Sequence, residues 1–104
     1  MKKRFSVIIC AYNIETYVSK AIESVLNQTF KDYELILVND GSKDNTLNIL
    51  KEYESKNGDR IKVIDNVINL GLSKSRNIAI SQANGEYIVP VSYTHLTLPT
   101  NREV

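Results

Sequence analysis

The sequence predicts an α/β domain in which helices flank a mostly parallel sheet, with the elements in the order βαβαβαβ. Short apolar runs rich in β-branched residues alternate with stretches whose apolar residues recur every three or four positions, the spacing of one helix face. Strands that alternate with crossover helices lie parallel, because each right-handed crossover returns the chain to the same end of the sheet. The 104 residues, of which 42% are hydrophobic, suffice for one such domain.

The four predicted strands are apolar runs bounded by polar turn residues. The first predicted helix covers residues 14–28 and the third covers residues 72–83. The second follows a cap at Ser42 or Asp44 and runs toward Gly58 with a narrower apolar stripe. The predicted strands cover residues 4–10, 33–39, 61–65 and 86–89.

Composition disfavours several classes of protein. Thirteen basic and twelve acidic side chains leave a charge of +1, without the one-sided basic field of sequence-independent nucleic-acid binding. Cys10 is the only cysteine, so no disulfide pair forms within the chain and a reducing, cytoplasmic setting fits best.

The amino-terminal segment imitates a signal peptide, because basic residues precede an apolar stretch. Ser6 interrupts that stretch and Tyr12 ends it, so we interpret it as the first strand. No other apolar run approaches the roughly 20 residues of a membrane-spanning helix. We therefore expect a soluble, cytoplasmic chain, while a membrane association of the intact protein stays open.

Three strand-to-helix loops are expected to face one crevice, because ligands of open α/β sheets bind at the carboxyl edge of the strands. In the second loop, Asp40 can accept a hydrogen bond from a base N–H or a ribose hydroxyl, whereas it would repel a phosphate. A purely capping role for this loop is equally compatible with the sequence. The three loops are Ala11-Tyr12-Asn13, Asp40-Gly41-Ser42 and Asn69-Leu70-Gly71.

Three further candidates also have structural alternatives. Tyr12 can stack on a base, although an aromatic residue at a strand end more often packs into the core. Asn13 can bind a base edge or start the first helix. Arg76 lies one turn into the third helix, whose amino end can attract a diphosphate, or it is a solvated surface arginine.

Several familiar sites are missing from the sequence. The first strand is not followed by G-x-G-x-x-G, and the chain contains no G-x-x-x-x-G-K-[ST] phosphate loop. A response-regulator receiver needs acidic residues after the first strand, where this chain has CAYN. His95, the only histidine, has no neighbouring carboxylate or cysteine in the sequence and receives no role.

Four segments, taken together, resemble the opening of family 2 glycosyltransferases. They are SVIICAYN at 6–13, ELILVNDGSKDNT at 34–46, NLGLSKSRNIAI at 69–80 and the following ANGEYIV. The resemblance covers residues 4–89 and implies a truncated Rossmann-like fold of the GT-A type. It also implies an inverting transfer of a sugar from a nucleotide-sugar donor, usually a UDP-sugar, to a hydroxyl of a saccharide or lipid-linked acceptor.

The resemblance also assigns nucleotide-binding residues. The first loop matches the loop that packs on the base and ribose, and Asp40 matches the aspartate that binds the base. Cys10 stands where a proline is more usual, a change expected to affect strand-end geometry more than chemistry. The residues carried over are Ala11, Tyr12, Asn13 and Asp40, together with Asn69, Gly71 and Arg76 near the ribose and diphosphate.

The end of the fourth strand departs from the family pattern. Where the resemblance implies an Asp-x-Asp-like motif, the chain reads VPVSY at 89–93, and no carboxylate side chain occurs between Glu86 and Glu103. The Mg²⁺ or Mn²⁺ of the intact enzyme therefore has no ligands here. The general base would lie further along the chain. We expect no catalytic residue and no transferase activity in this chain alone.

We predict a nucleotide-sugar-binding half of a glycosyltransferase domain over residues 1–90 and a tail foreign to the family over residues 91–104. The tail is rich in threonine and poor in charge, which fits read-through or adaptor-like sequence as well as a natural new end. Two alternatives to a transferase fragment stay open. One is a non-catalytic nucleotide-binding module, and the other is a structural α/β fragment with an exposed sheet edge.

Overall fold

A computed structural model describes residues 4–29 and 31–93. Within these residues the strands and α-helices follow the predicted order, and a 3₁₀ turn at Gly58–Arg60 precedes the third strand. The strands are β1 Phe5–Ala11, β2 Tyr33–Asp40, β3 Ile61–Asn66 and β4 Tyr87–Tyr93, and the helices are α1 Val18–Leu26, α2 Thr46–Asn57 and α3 Leu72–Ser81.

The four strands form one parallel sheet in the order β3-β2-β1-β4. β1 lies between β2 and β4, so that Val7 is opposite Leu35 on one side and Val89 on the other. All strand-to-helix loops therefore leave from one edge of the sheet, and the predicted parallel α/β architecture is confirmed.

Helices cover both faces of the sheet, because alternate residues of the central strands point to opposite faces. Val7 and Ile9 belong to a core cluster with α1 and α2. Ile8 and Cys10 belong to a second cluster that contains Ala79 of α3. Every residue of β2 is buried, which agrees with the unbroken apolar run that predicted this strand.

The predicted start of the first helix at Ile14 is wrong, because α1 begins at Val18. The amide of Ile14 donates to Thr46 Oγ1 at 3.0 Å, and the amide of Glu15 donates to Asp44 Oδ2 at 3.2 Å. These long-range bonds hold the segment as a turn, in which Ile14 is buried without being helical.

The last two predicted elements also differ at their ends. α3 ends at Ser81, two residues before the predicted Ala83. β4 is longer than predicted, since it pairs with β1 from Tyr87 to Tyr93 and passes the predicted boundary at residue 90. Pro90 lies within β4, and proline is tolerated where a strand lies at the edge of a sheet. Residues 94–104, including His95, lie outside the described residues.

A buried network at the amino ends of the strands fixes the turn before β4. Ser6 Oγ donates to Glu34 Oε2 at 2.6 Å, and the same carboxylate oxygen accepts the amide of Asn84 at 2.6 Å. The amide of Gly85 donates to Ser6 Oγ at 2.7 Å. A Cβ at Gly85 would lie 2.6 Å from the backbone of Phe5 and Ser6, so this close approach requires glycine. No helix of the described residues is long and apolar enough to cross a membrane.

Candidate functional site

The three predicted loops meet at the carboxyl edge of the sheet. The amide of Asn13 donates to Ser42 Oγ at 2.9 Å, and Asn13 Oδ1 accepts the amide of Lys43 at 2.8 Å. The second and third loops meet through Asp40, whose carboxylate accepts the amide of Leu70 at 2.7 Å. The geometric prediction of a common edge is therefore confirmed.

Asp40 is the centre of this arrangement. Asp40 is 5% exposed, and the two oxygens of its carboxylate accept hydrogen bonds from different backbone amides. Oδ1 accepts Leu70 N–H at 2.7 Å and Oδ2 accepts Gly71 N–H at 3.1 Å. Gly71 immediately precedes α3, so the hydrogen bonds to Asp40 fix the backbone at the start of α3.

Of the two predicted caps of the second helix, Ser42 and Asp44, only Asp44 contacts the start of α2, and the N-cap position itself is Asn45, without a side-chain capping bond. Asp44 Oδ1 accepts the amide of Thr46 at 2.9 Å and the Thr46 hydroxyl at 2.6 Å, where α2 begins. Burial alone would raise the pKa of Asp44, but the hydrogen bonds from Thr46 and from the amide of Glu15 outweigh it and hold the pKa below its ordinary value. Ser42 faces Asn13 instead and does not cap α2.

Gly41 allows the second and third loops to touch. Its φ is +73°, and an added Cβ would lie 2.5 Å from the backbone nitrogen of Asn69 and 2.7 Å from the carbonyl carbon of Ile68. Asn69 Nδ2 also donates to the backbone oxygen of Asp40 at 3.2 Å. The contact between the two loops is therefore backbone against backbone, with no room for a side chain.

Asn13 connects the first loop to the second and does not start a helix. Its φ is +52°, a left-handed conformation that asparagine adopts more readily than most residues. The alternative in which Asn13 starts α1 is therefore wrong. Asn13 is exposed, whereas Tyr12 is half-buried and Ala11 is 1% exposed within the core. A ligand would therefore meet Ala11 mainly through its backbone.

Arg76 belongs to the first half of α3, the helix that follows the third loop. It is half-buried in α3, and its guanidinium acts electrostatically on the Cys10 thiol near the end of β1. Burial raises the pKa of Cys10, which outweighs the lowering by Arg76, and the charge of Asp40 adds to the rise. Arg76 and Asp40 therefore both act electrostatically on the Cys10 thiol.

Sequence reasoning missed two polar residues that contact this site. Asn66, at the end of β3, is 8% exposed, and Ser75 of α3 is fully buried. Asn66 Nδ2 donates to Ser75 Oγ at 3.0 Å and lies 3.4 Å from Asp40 Oδ1. The available signals were a polar residue closing an apolar strand and a serine within the apolar stripe of α3.

An apolar cleft of about 430 Å³ lies away from these loops. Its walls include Val7 of β1, Val25 of α1 and Val89 of β4, and none of its lining residues is charged. A nucleotide needs several placed polar groups, which the loop edge offers and the mostly apolar walls of this cleft offer less.

The described residues do not fit a divalent cation. Among residues 4–29 and 31–93, no group of three or more His, Cys, Asp or Glu side chains is placed to hold a metal ion. Asp40, the buried acidic residue of the loop edge, already accepts two backbone amides. Mg²⁺ and Mn²⁺ require several oxygen ligands. No step of a reaction is therefore assigned to a metal on these residues.

Comparison with known proteins identifies the family. Residues 6–91 match the family described as Glycosyl transferase family 2. The chain belongs to glycosyl transferase family 2. An uncharacterized glycosyltransferase of Haemophilus influenzae is 43% identical over 95 residues, which are 91% of this chain and 29% of that protein. The resemblance stated from the four sequence segments is thereby confirmed.

Solved structures of glycosyltransferases share the fold. S. aureus TarS 1–349, in complex with UDP-GlcNAc, is 37% identical with a TM-score of 0.78, covering 86% of this chain and 26% of TarS 1–349. The mannosyltransferase PcManGT of Pyrobaculum calidifontis, in complex with GDP-Man and Mn²⁺, has a TM-score of 0.80 at 20% identity and covers 88% of this chain and 28% of its own. At that identity the second likeness concerns the fold alone. Both support the GT-A architecture of this family 2 segment.

This family 2 chain is short beside its relatives. It spans 29% of the H. influenzae protein and 26% of TarS 1–349. The activity, substrates and partners of a whole transferase are therefore matters of proposal for this chain.

Proposed function

We propose that this chain binds the nucleotide of a nucleotide-sugar donor, most simply a UDP-sugar, as the nucleoside-binding part of an inverting glycosyltransferase. The acceptor would be a hydroxyl of a saccharide or lipid-linked molecule. The proposed nucleotide contacts are those carried over from the family pattern. They are Ala11, Tyr12, Asn13, Asp40, Asn69, Gly71 and Arg76.

The Asp40 carboxylate carries this proposal, because it joins the second loop to the third at the edge where Asn13 joins the first loop to the second. A carboxylate is an acceptor-only group, and this one is fixed by two backbone amides on opposite oxygens. A fixed acceptor selects a ligand that offers an N–H or O–H at that point, as a base or ribose does, and disfavours a phosphate. TarS, which shares 37% identity with this chain, is known in complex with UDP-GlcNAc, and this supports the choice of a uridine donor.

The diphosphate would lie toward the amino end of α3. The amides of Leu70 and Gly71 already donate to Asp40, so the diphosphate would meet the next amides, those of the first turn of α3, where the helix dipole also attracts anions. Arg76, one turn further along, adds a positive charge on the same element. The proposed polarity is therefore the base near Asp40 and the diphosphate near Arg76.

A titration with UDP, followed by two-dimensional amide NMR of the ¹⁵N-labelled chain, tests this proposal. We expect saturable shifts at residues 11–13, 40–42 and 69–76, and none at the amino ends of the strands. Shifts confined to the apolar cleft, or no shifts in a folded chain, would contradict it.

Asp40→Asn and Asp65→Asn form a matched pair for the same experiment. Both remove one charge at the carboxyl edge, but Asp65 is exposed and accepts only from the Asn39 side chain at 2.9 Å among the described contacts. We expect Asp40→Asn to weaken UDP binding about tenfold or more, as for loss of a hydrogen bond to a charged group, and Asp65→Asn to change it little.

Asp40→Asn also disturbs the loop, since an asparagine turns a donor toward one of the two amide N–H groups. The amide shifts of Asn69 to Gly71 without ligand report that disturbance separately. Equal UDP affinities for the two variants would remove Asp40 from the site.

We further propose that the chain alone transfers no sugar. The sequence after Glu86 contains no carboxylate before Glu103, so the acid–base residue and the Mg²⁺ or Mn²⁺ site of an intact enzyme would have to lie elsewhere. Incubation with UDP-sugars and mixed acceptors, with release of UDP as the readout, should show no turnover.

A cytoplasmic location is proposed on the single, buried cysteine, which fits a reducing compartment. A fusion of the chain to a reporter that fluoresces only in the cytoplasm tests this location.

A second candidate function, a nucleotide-binding module without catalysis, is favoured by the same Asp40 geometry. UDP binding by this chain is common to both functions. Turnover restored by adding the remaining domain of a close relative would favour the transferase, and its failure with a folded mixture would favour the module.

A further inference from the structure

We propose that Asn66 is a positioning residue for nucleoside recognition, acting through Asp40. The side-chain amide of Asn66, held by Ser75, fixes the Asp40 carboxylate so that Oδ2 is presented to a base N–H. This inference rests on the proposed nucleotide-binding function and assigns a role to a residue outside the three loops.

The contacts of the Asp40 carboxylate are unequal. Among the described residues, Oδ1 accepts Leu70 N–H at 2.7 Å and lies 3.4 Å from Asn66 Nδ2, while Oδ2 accepts only Gly71 N–H at 3.1 Å. A carboxylate oxygen has two lone pairs. Oδ1 is therefore filled by protein donors, and Oδ2 retains capacity for one more donor.

The orientation of Asn66 follows from its surroundings. Its Nδ2 lies 3.0 Å from Ser75 Oγ as well as 3.4 Å from the carboxylate. The opposite orientation of the amide would place its carbonyl oxygen against an anionic oxygen, two acceptors in contact in a buried position. The two hydrogens of Nδ2 therefore serve Ser75 and Asp40, and Ser75 ties the arrangement to α3.

The alternative is that Asn66 has a purely structural role, as a buried side chain that is hydrogen-bonded. Such a role predicts a loss of stability and an equal loss of affinity for every ligand of the loops. Positioning of Asp40 predicts a selective loss instead. A uracil ring offers an N–H donor on its pairing edge, whereas the equivalent ring nitrogen of cytosine is an acceptor, so a correctly placed carboxylate distinguishes UDP from CDP.

The test compares UDP and CDP affinities of the full chain and its variants by calorimetry. We expect Asn66→Ala to weaken UDP binding about threefold to tenfold, the range for one intramolecular hydrogen bond, with little effect on CDP. Ser75→Ala should also weaken UDP binding, but less, because Asn66 can still donate to Asp40 after it loses its hydrogen bond to Ser75.

Ser6→Ala is the matched control. It removes a buried hydroxyl that contacts Glu34 and Gly85 at the opposite edge of the sheet, so it costs stability without touching Asp40. We expect its ratio of UDP to CDP affinity to equal that of the unaltered chain.

A double-mutant cycle completes the test. If Asn66 acts through Asp40, then Asn66→Ala has no further effect on UDP affinity in an Asp40→Asn background. Equal losses for UDP and CDP, or full additivity in the cycle, would overturn the positioning role while leaving nucleotide binding intact. Absence of UDP binding by the folded, unaltered chain would overturn both the positioning role and the proposed function.

Discussion

Replacing Gly41 with alanine should force apart the two loops that form the candidate nucleotide site. Two costs add at this position. The backbone has φ of +73°, and a Cβ would lie 2.5 Å from Asn69 N and 2.7 Å from Ile68 C. A residue with a side chain in a left-handed conformation costs about 1–3 kcal/mol. Overpacking against atoms that cannot rotate away costs about 1–3 kcal/mol more.

Gly58 provides a comparison substitution, because its φ is also positive but no atom stands in the way of an added Cβ. Its φ is +56° with ψ of −126°, and no atom lies within 4 Å of an added Cβ. We expect Gly58→Ala to lose about 1–3 kcal/mol, and Gly41→Ala to lose about 1–3 kcal/mol beyond that. A larger loss of stability in Gly41→Ala than in Gly58→Ala is therefore the expected sign of the clash between the loops.

Urea unfolding at equilibrium, monitored by far-ultraviolet circular dichroism, measures both variants. UDP affinity is measured in parallel, since separation of the loops should weaken binding in Gly41→Ala and leave it unchanged in Gly58→Ala. A Gly41→Ala chain that fails to fold while Gly58→Ala folds gives the same answer. Equal losses of stability in the two variants, with unchanged UDP affinity, would refute the reasoning.

Three other predictions concern charge, reactivity and packing. The contribution of Asp44 to stability should be complete above its unfolded pKa of about 3.9 and should be lost as pH falls through its lower native pKa. Asp44→Asn should therefore reduce the fall of the unfolding free energy at acidic pH. An unchanged fall in the variant would contradict this. Cys10 is 3% exposed with a raised pKa, so iodoacetamide at pH 7 should modify it about a hundredfold more slowly in the folded chain than in urea, if opening costs about 3 kcal/mol. Leu50 is fully buried, so Leu50→Ala should cost about 2–5 kcal/mol in urea unfolding, and a loss below about 1 kcal/mol would place Leu50 outside the core.

The sequence was a good guide wherever burial alone decides the structure. The run of apolar residues in β2 predicted a strand in which every residue proved to be buried, because a strand covered on both faces needs no alternation. The parallel arrangement followed from the handedness of the crossovers. These are general consequences of apolar patterning, and they required no knowledge of individual contacts.

Element ends were less predictable, because distant side chains decide them. Ile14 has the spacing of a helical residue, but its amide donates to Thr46, 32 positions away. The chain therefore enters α1 four residues later than the apolar pattern indicates. β4 extends to Tyr93 because β1 offers a partner along its whole length, although the sequence after Pro90 changes in composition.

In the candidate site too, the sequence indicated the important residue but not the distant groups that it contacts. Sequence reasoning selected Asp40, but the sequence contains no sign that its carboxylate accepts the amides of Leu70 and Gly71, 30 and 31 positions away. The loop itself requires an aspartate here, because two N–H donors approach different oxygens and an asparagine would turn a donor against one of them. A base N–H would require the same acceptor. The loop structure and nucleotide binding thus both favour an aspartate here, so the presence of Asp40 does not tell a structural role from a binding role. Selectivity between UDP and CDP does separate them, because the loop is the same for both ligands and only the nucleoside contact differs.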